Sequence, residues 1–263
     1  MKSIYIFLII ILPVSSIAQS NYHQGLVVKN NGDTIRGYIN YREWNESPRS
    51  IDFKAGKEDK QVQHFDPLSI KGFEITGMET YVGYVGPITM GRTSFNNLPT
   101  QLDTTVKLDT IFIKQVVTGK YLTLFYHNDK IKTRFFIAER GAPPVELKYY
   151  EYVNGDQRDV STDIYKGQLT LYISKYTQDG DKLNNSIEKM YYAESDLQNI
   201  VDKINNNGKI IKRKTPTRFF AGLGINSTTT EVNNVDASGI RQDYTTVAPV
   251  INVGIDIFDN PNV

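Results

Sequence analysis

The chain has 263 residues, with 30 Lys and Arg against 29 Asp and Glu and a formal charge of +1. That balance lacks the basic footprint with which nucleic-acid binders neutralise phosphates, so no nucleic-acid partner is expected. Cysteine is absent, which excludes disulfides, thiol nucleophiles, thiolate metal sites and the lipid-bearing cysteine of a bacterial lipoprotein.

Lys2 is followed by an unbroken apolar stretch, Ile4 to Leu12, and then by Pro13, Val14 and Ser15-Ser16-Ile17-Ala18. A cationic start, a short apolar segment and small residues at the −3 and −1 positions predict a secretory signal peptide over residues 1–18, cleaved before Gln19. The alternative, an uncleaved anchor helix, needs about 20 apolar residues. Export to the cell envelope follows: an outer-membrane protein with a periplasmic N-terminal region, or a soluble periplasmic or secreted one. Removal of Lys2, the one charge in this segment, leaves a neutral mature chain long enough for one large domain or two small ones.

Residues 19–193 read as an antiparallel, hairpin-rich β-domain. With 17 Tyr and 12 Phe against one Trp and four Met, the apolar content favours strands. Asn31-Gly32-Asp33 separates Gly25–Lys29 from Thr34–Tyr41, and His127-Asn128-Asp129-Lys130 separates Tyr121–Tyr126 from Ile131–Ile137. Asn154-Gly155-Asp156 follows Val145–Val153, and Asp179-Gly180-Asp181 stands between Gln168–Tyr176 and Leu183–Tyr192. Asn-Gly and Asp-Gly pairs tolerate the positive φ of tight hairpins, so each predicts a turn between strands. A subdivision of this region is a candidate near residues 95–106.

The period changes at residues 194–208. Leu197, Ile200, Val201 and Ile204 fall at i, i+3, i+4 and i+7, which predicts a helix over Ser195–Asn207 with one buried stripe. Ser195 and Gln198 have capping-box spacing, and Gly208 stands where the helix should stop. Residues 209–217, with Lys209, Lys212, Arg213, Lys214 and Pro216, read as a basic linker whose charges form a solvated tether.

Residues 218–263 alternate strictly. Phe219, Ala221, Leu223 and Ile225 in one run, and Val247, Pro249, Ile251, Val253, Ile255 and Ile257 in the next, form a wholly apolar odd-numbered set. The even-numbered positions are mostly small or polar. Runs of about 9–11 residues with this period predict outer-membrane β-barrel strands, here the first two of a barrel in contact with outer-membrane lipid. Thr230–Asp243 is then the long outer loop and Asp259-Asn260-Pro261-Asn262 the short periplasmic turn. Pro249, lacking a ladder donor, is expected near a strand end or on an edge.

The run Gly25–Tyr41, with Pro48, Ile51-Asp52-Phe53-Lys54, Phe65-Asp66-Pro67, Ile70-Lys71-Gly72-Phe73 and the later Arg218–Gly224, resembles the bacteroidete-type outer-membrane β-barrel proteins. The resemblance implies a β-rich front region ending in a helix, followed by a barrel, and brings no catalytic residues with it. Two strands cannot satisfy their edges in lipid. The expectation is therefore a truncated barrel, against a hairpin packed on the soluble part or strands pooled from several chains.

Few residues offer chemistry. His23, His64 and His127 are the imidazoles, and no His-Glu-x-x-His helix is present. His64 and Asp66 would share a strand face as two metal ligands, but a catalytic zinc takes three; an ordinary strand end entering the Asp66-Pro67 turn is the simpler reading. His127, beside a turn, reads as a solvated histidine. No Gly-x-Ser-x-Gly elbow occurs, and Gly86–Gly91 lacks the Lys-Ser/Thr ending of a phosphate loop. Asp179 and Asp181 lack the rest of a calcium loop. Carboxylate pairs of the glycosidase type need only be close in space, and sequence does not choose them. Tyr149, Tyr150, Tyr152, Tyr191 and Tyr192 could line a glycan or peptide surface, although neighbours on a strand point to opposite faces, which assigns at least half to packing. No catalytic, cofactor or metal residue is assigned. The chain reads as a non-enzymatic envelope protein, or alternatively as a soluble β-domain binding a protein partner or envelope glycan.

Overall fold

Short apolar alternations punctuated by Asn, Asp and Gly produce a long antiparallel meander. The computed structural model describes residues 21–42, 44–93, 97–178, 180–209, 217–232 and 242–257. The expected signal peptide, most of the linker and the turn at 259–262 lie outside the described residues. The protein is mainly β and its sheets are antiparallel, as the alternation requires. It divides into two units, Met1–Ile210 and Ile211–Val263.

The first unit is built on ten strands: β1 (Tyr22–Lys29), β2 (Thr34–Asn40), β3 (Ile51–Lys54), β4 (Gln63–Phe65), β5 (Ile70–Ile75), β6 (Glu79–Thr89), β7 (Val106–Thr118), β8 (Leu122–Asn128), β9 (Thr133–Glu139) and β10 (Val145–Leu147). They form one sheet in the order β10-β9-β8-β7-β6-β5-β1-β2-β3-β4. The Asn31-Gly32-Asp33 and His127–Lys130 turns join β1 to β2 and β8 to β9, as expected. Of the candidate subdivision near 95–106, residues 97–105 lie in the connection between β6 and β7, which pair from Tyr81↔Lys114 to Thr89↔Val106, and 95 and 96 lie outside the described residues. A second hairpin, β11 (Tyr150–Val153) with β12 (Asp159–Thr162), turns at Asn154, whose Oδ1 accepts from the Asp156 and Arg158 N–H groups at 3.0 Å.

Three apolar clusters follow from the alternation. Val27, Ile39, Phe53, Phe73 and Phe112 pack where β1, β2, β3, β5 and β7 converge. Toward the other end, Leu124, Phe135, Ile137 and Leu147 lie under the helices, while Phe125, Phe136 and Ala138, one residue out of phase, join Tyr84, Ile88 and Ile113. Strands β8 and β9 are thus buried on both faces, which is why their sequences read as nearly continuous apolar runs.

Here one expectation is corrected. Gln168–Tyr176 and Leu183–Tyr192 are not a hairpin: the first falls in helix α1 (Ile164–Tyr176), and the second, as far as Lys189, in α2 (Gly180–Lys189). Leu169-Thr170-Leu171-Tyr172 imitates strand alternation, yet Tyr165, Leu169 and Ile173, four apart, are the buried residues and Leu171 is 71% exposed. Leu183 and Ile187 repeat the spacing in α2. Burial of an i, i+4 stripe against β8 to β10 outweighs the local β-preference of these residues.

Helix α3 (Glu194–Asn205) matches its expected stripe, with Leu197, Ile200, Val201 and Ile204 all buried. Its expected capping box does not form: Ala193 is the N-cap without a side-chain bond, because Ser195 already lies within the first turn. Asp196 instead accepts the Tyr191 N–H at 2.8 Å. Gly208, at φ +83°, ends the helical path, and its N–H returns to Lys203 O at 2.7 Å. At the last helical residue, Asn205 Oδ1 accepts both Tyr121 N–H (2.9 Å) and Leu122 N–H (2.8 Å), while Nδ2 donates to Leu122 O (3.0 Å). A helix side chain thereby satisfies the backbone where β7 turns into β8.

The second unit is the hairpin β13 (Thr217–Val232) and β14 (Gln242–Ile257), paired antiparallel from Thr217↔Ile257 to Val232↔Gln242. Both strands run further than expected, taking 230–232 and 242–243 from the anticipated loop, the rest of which lies outside the described residues; the Thr-rich sequence after Ser227 continues as strand because Thr is a good strand former. Odd residues face odd residues across the ladder: Phe219↔Ile255, Leu223↔Ile251 and Ile225↔Pro249. Pro249 therefore sits in the middle of β14 rather than near its end, but on an edge strand of the two-stranded sheet, the other place expected for it.

Candidate functional site

Strands β6 and β7 extend past their neighbours. The β5–β6 ladder stops at Gly72↔Val82, and the β7–β8 ladder begins only at Lys114↔Tyr126. Gly83–Thr89 and Val106–Phe112 consequently pair with each other as a two-stranded arm, flanked by β10 on one side and by the β8–β9 turn on the other.

Charged and polar residues are buried around this arm: Thr89, His127, Lys132, Arg134 and Glu146. Arg134, fully buried, donates through Nε to Thr89 O (2.9 Å) and through Nη1 to Asp129 Oδ2 (2.9 Å). Glu146 accepts from Thr89 N–H (2.8 Å) and from Thr89 Oγ1 (2.5 Å). Lys132 Nζ donates to Tyr149 O at 2.7 Å. Burial pushes the Lys132 ammonium down to about 8, against the attraction of Glu146. Burial works to raise Asp129, but His127, the Lys132 and Ile131 N–H groups and Arg134 outweigh it, holding the carboxyl well below its ordinary range. Two cations and two carboxylates thus balance, as buried charges must. Their chemical effect is to fasten β6 to β9 and β10 through side chains.

His127 is a correction. It is 3% exposed rather than solvated; Nδ1 donates to Phe112 O at 2.9 Å, and Nε2 faces Asp129 Oδ2 at 3.8 Å in the lining of a cleft.

Two clefts flank the arm. On the β10 side a cavity of about 530 Å³ is lined by Tyr84, Pro87, Val106, Pro144, Val145 and Glu146 among others. On the opposite side a cavity of about 460 Å³ lies between β7 and the loop carrying Glu46 and Arg49, with His127 and Asp129 in its lining. Ser47 pins that loop: its N–H donates to Asn128 O (2.8 Å), and its Oγ accepts Asn128 N–H (3.0 Å).

The other residues singled out in the sequence do not converge here. His64 pairs across the ladder with Asp52 (Nδ1–Oδ1 2.6 Å), not with Asp66. Asp66 caps its own turn, accepting from Leu68 N–H (3.0 Å) and Ser69 N–H (2.8 Å), which lowers its pKa. Asp181 belongs to the first turn of α2, and Asp179 lies outside the described residues. Gly86 is in β6. Tyr149 and Tyr192 stack at 4.6 Å, and Tyr150 is buried, while Tyr191 is 78% exposed. Arg134 and Glu146 were passed over in the sequence. Their signal was a charge embedded in a run apolar on both strand faces, Arg134 before Phe135-Phe136-Ile137 and Glu146 between Val145 and Leu147.

The chain matches no protein-family model, no curated protein and no solved structure.

Proposed function

We propose that this is a non-enzymatic cell-envelope protein whose β13–β14 hairpin enters the outer membrane as barrel strands, with the first unit in the periplasm. The observation that carries the reading is the apolar face of the hairpin. Phe219, Leu223, Ile225, Val247, Ile251, Val253 and Ile255 all project from one side and are 56–86% exposed. Rungs apolar on both strands run from Phe219↔Ile255 to Ile225↔Pro249, and Val247, opposite Ser227, extends the apolar face by one more residue. At about 3.3 Å per residue this is roughly 26 Å of strand, or about 20 Å of height at a 40° tilt, near the apolar band of about 25 Å in outer-membrane barrels. Beyond it the rungs turn polar, at Thr228↔Thr246 and Thr229↔Thr245. The signal-peptide pattern around Lys2, Ile4–Leu12 and Ala18 supports export to this compartment. Two strands leave open edges in lipid, so this reading requires further strands to close the barrel.

The test is reconstitution of the full-length gene product in lipid with spin labels at positions 251 and 252. Lipid exposure at 251 with aqueous exposure at 252 is expected. Equal protection of both would place the segment in a soluble core and defeat the reading.

A further inference from the structure

The arm formed by β6 and β7 has two long edges, and they are treated differently. On the β6 edge every second residue turns its backbone outward. Thr89 is one of these, since its N–H and C=O are taken by Glu146 and Arg134 rather than by β7. Two residues earlier Pro87 has no N–H, and its carbonyl accepts the Tyr84 hydroxyl at 3.0 Å. The facing strand β10 is closed in the same way: Gln168 Nε2 donates to Glu146 O (2.9 Å), and its Oε1 accepts Lys148 N–H (2.8 Å). Proline and side-chain caps of this kind are how native sheets prevent another strand from pairing.

The β7 edge is closed by side chains only at its inner end. Because Thr89 faces away from β7, its ladder partner Val106 faces away from β6, and so do Leu108, Thr110 and Phe112. Phe112 O meets His127, and Thr110 N–H meets the Asp109 carboxylate beside it at 2.8 Å. Among the described residues no ladder strand covers Val106–Ile111 on this side, and Leu108 is 78% exposed. This open edge borders the 460 Å³ cleft, whose far wall is the loop pinned by Ser47. Within the cleft Lys107 pairs with Asp109 (3.0 Å) and Asp129 with Arg134. In the lining, Arg49 and Lys130 have no ion-pair partner among the described residues, against one such acid, Glu46, so unpaired cations outnumber unpaired acids.

We infer that the β7 edge from Val106 to Ile111 receives an extended, acidic peptide segment of a protein partner by strand addition. Main-chain bonds to Leu108 and the Thr110 carbonyl hold the segment, and Arg49 and Lys130 select its carboxylate. The inference concerns the first unit and stands independently of the membrane reading.

Hydrogen exchange read by mass spectrometry on the full chain tests it. Three capped hexapeptides serve as probes at about 1 mM: Thr-Val-Glu-Val-Thr-Val, its Lys-for-Glu counterpart, and Thr-Val-Glu-Pro-Thr-Val, in which proline removes a ladder donor. The first should slow exchange across 106–111 at least about threefold, the Lys peptide less, and the Pro peptide not at all. Leu108→Pro removes an outward donor that β6 does not use and should abolish the slowing. Arg49→Glu should reverse the preference between the Glu and Lys peptides, and it tests the cleft without touching a strand. Absence of slowing at 106–111 with all three peptides, or equal slowing by the Pro peptide, would overturn strand addition. Protection of 106–111 that rises with protein concentration alone would assign the edge to a second copy and overturn the partner proposal.

Discussion

Asn205 offers the sharpest test of how the helices are fastened to the sheet. Asn205→Ala removes the acceptor of Tyr121 N–H and Leu122 N–H, while Leu122 O keeps its bond from Gly119 N–H at 3.0 Å. Leu122 is buried and Tyr121 half-buried. An orphaned buried donor costs about 1–3 kcal/mol, so the two together should cost about 3 kcal/mol, the Leu122 N–H contributing more. Gly119 reports on the same contact from the other side. A Cβ on it would lie 2.1 Å from Asn205 Cγ, too close without displacing the side chain and its three bonds. Gly119→Ala should therefore be destabilising alone but nearly neutral once Asn205 is Ala. Urea unfolding of the full chain in mild detergent, followed by Trp44 fluorescence, gives the four corners of the cycle. The double variant should be less destabilised than the sum of the singles by at least about 1 kcal/mol. If Gly119→Ala costs the same in both backgrounds, the Asn205 clamp is not what holds this turn.

Ile200→Asp places an unpaired charge in the stripe of α3, where Ile200 is 3% exposed, and should cost at least about 3 kcal/mol in the same urea assay; an unchanged midpoint would mean that the stripe packs on nothing. Lys132 gives a pH dependence: titrating near 8 in the fold against 10.5 ordinarily, it has already lost a proton that the unfolded chain still holds between those values, so stability should rise with pH from 8 to about 9.5. Above about 10 the buried tyrosines Tyr81, Tyr149 and Tyr165, all pushed up chiefly by burial, reverse the slope, because the unfolded chain then deprotonates first. Lys132→Met should abolish the rise, and an unchanged slope in that variant would refute the assignment.

Where an element keeps a single period along its length, the sequence is legible. The α3 stripe and the odd-numbered face of β13 and β14 are written in single periods, and both appear where the spacing puts them. Legibility fails where tertiary burial overrides local preference. Leu169-Thr170-Leu171-Tyr172 alternates like a strand, but in α1 the sheet takes Leu169 and Ile173 and leaves Leu171 in water. The buried charge cluster was illegible for a different reason. Thr89, Arg134 and Glu146 are distant in sequence, and only the outgrowth of the arm past β5 and β8 brings them together. His127 failed similarly: its neighbours mark a turn, while its burial is set by Phe112 on another strand.

The β13–β14 hairpin is pinned from one side and open on the other. On the even-numbered face Phe220 lies across its ladder partner Gly254, so closely that a Cβ there would sit 2.3 Å from the ring. That contact, with glycine at 222 and 224 on the same face, fixes the register in which odd residues meet odd residues. A slip of one residue would turn Asn252 into the place of Ile251 and scatter polar groups over the apolar face. Register is specified this strongly only where the two faces meet different surroundings. Exposed apolar strands in water invite edge-to-edge aggregation, and this pair carries neither inward-pointing charges nor the caps that close β6 and β10 among its described side chains. The protein thus closes its β6 and β10 edges by side chain and leaves the apolar ladder of its second unit unprotected, a contrast that follows if lipid, rather than water, covers the odd-numbered face.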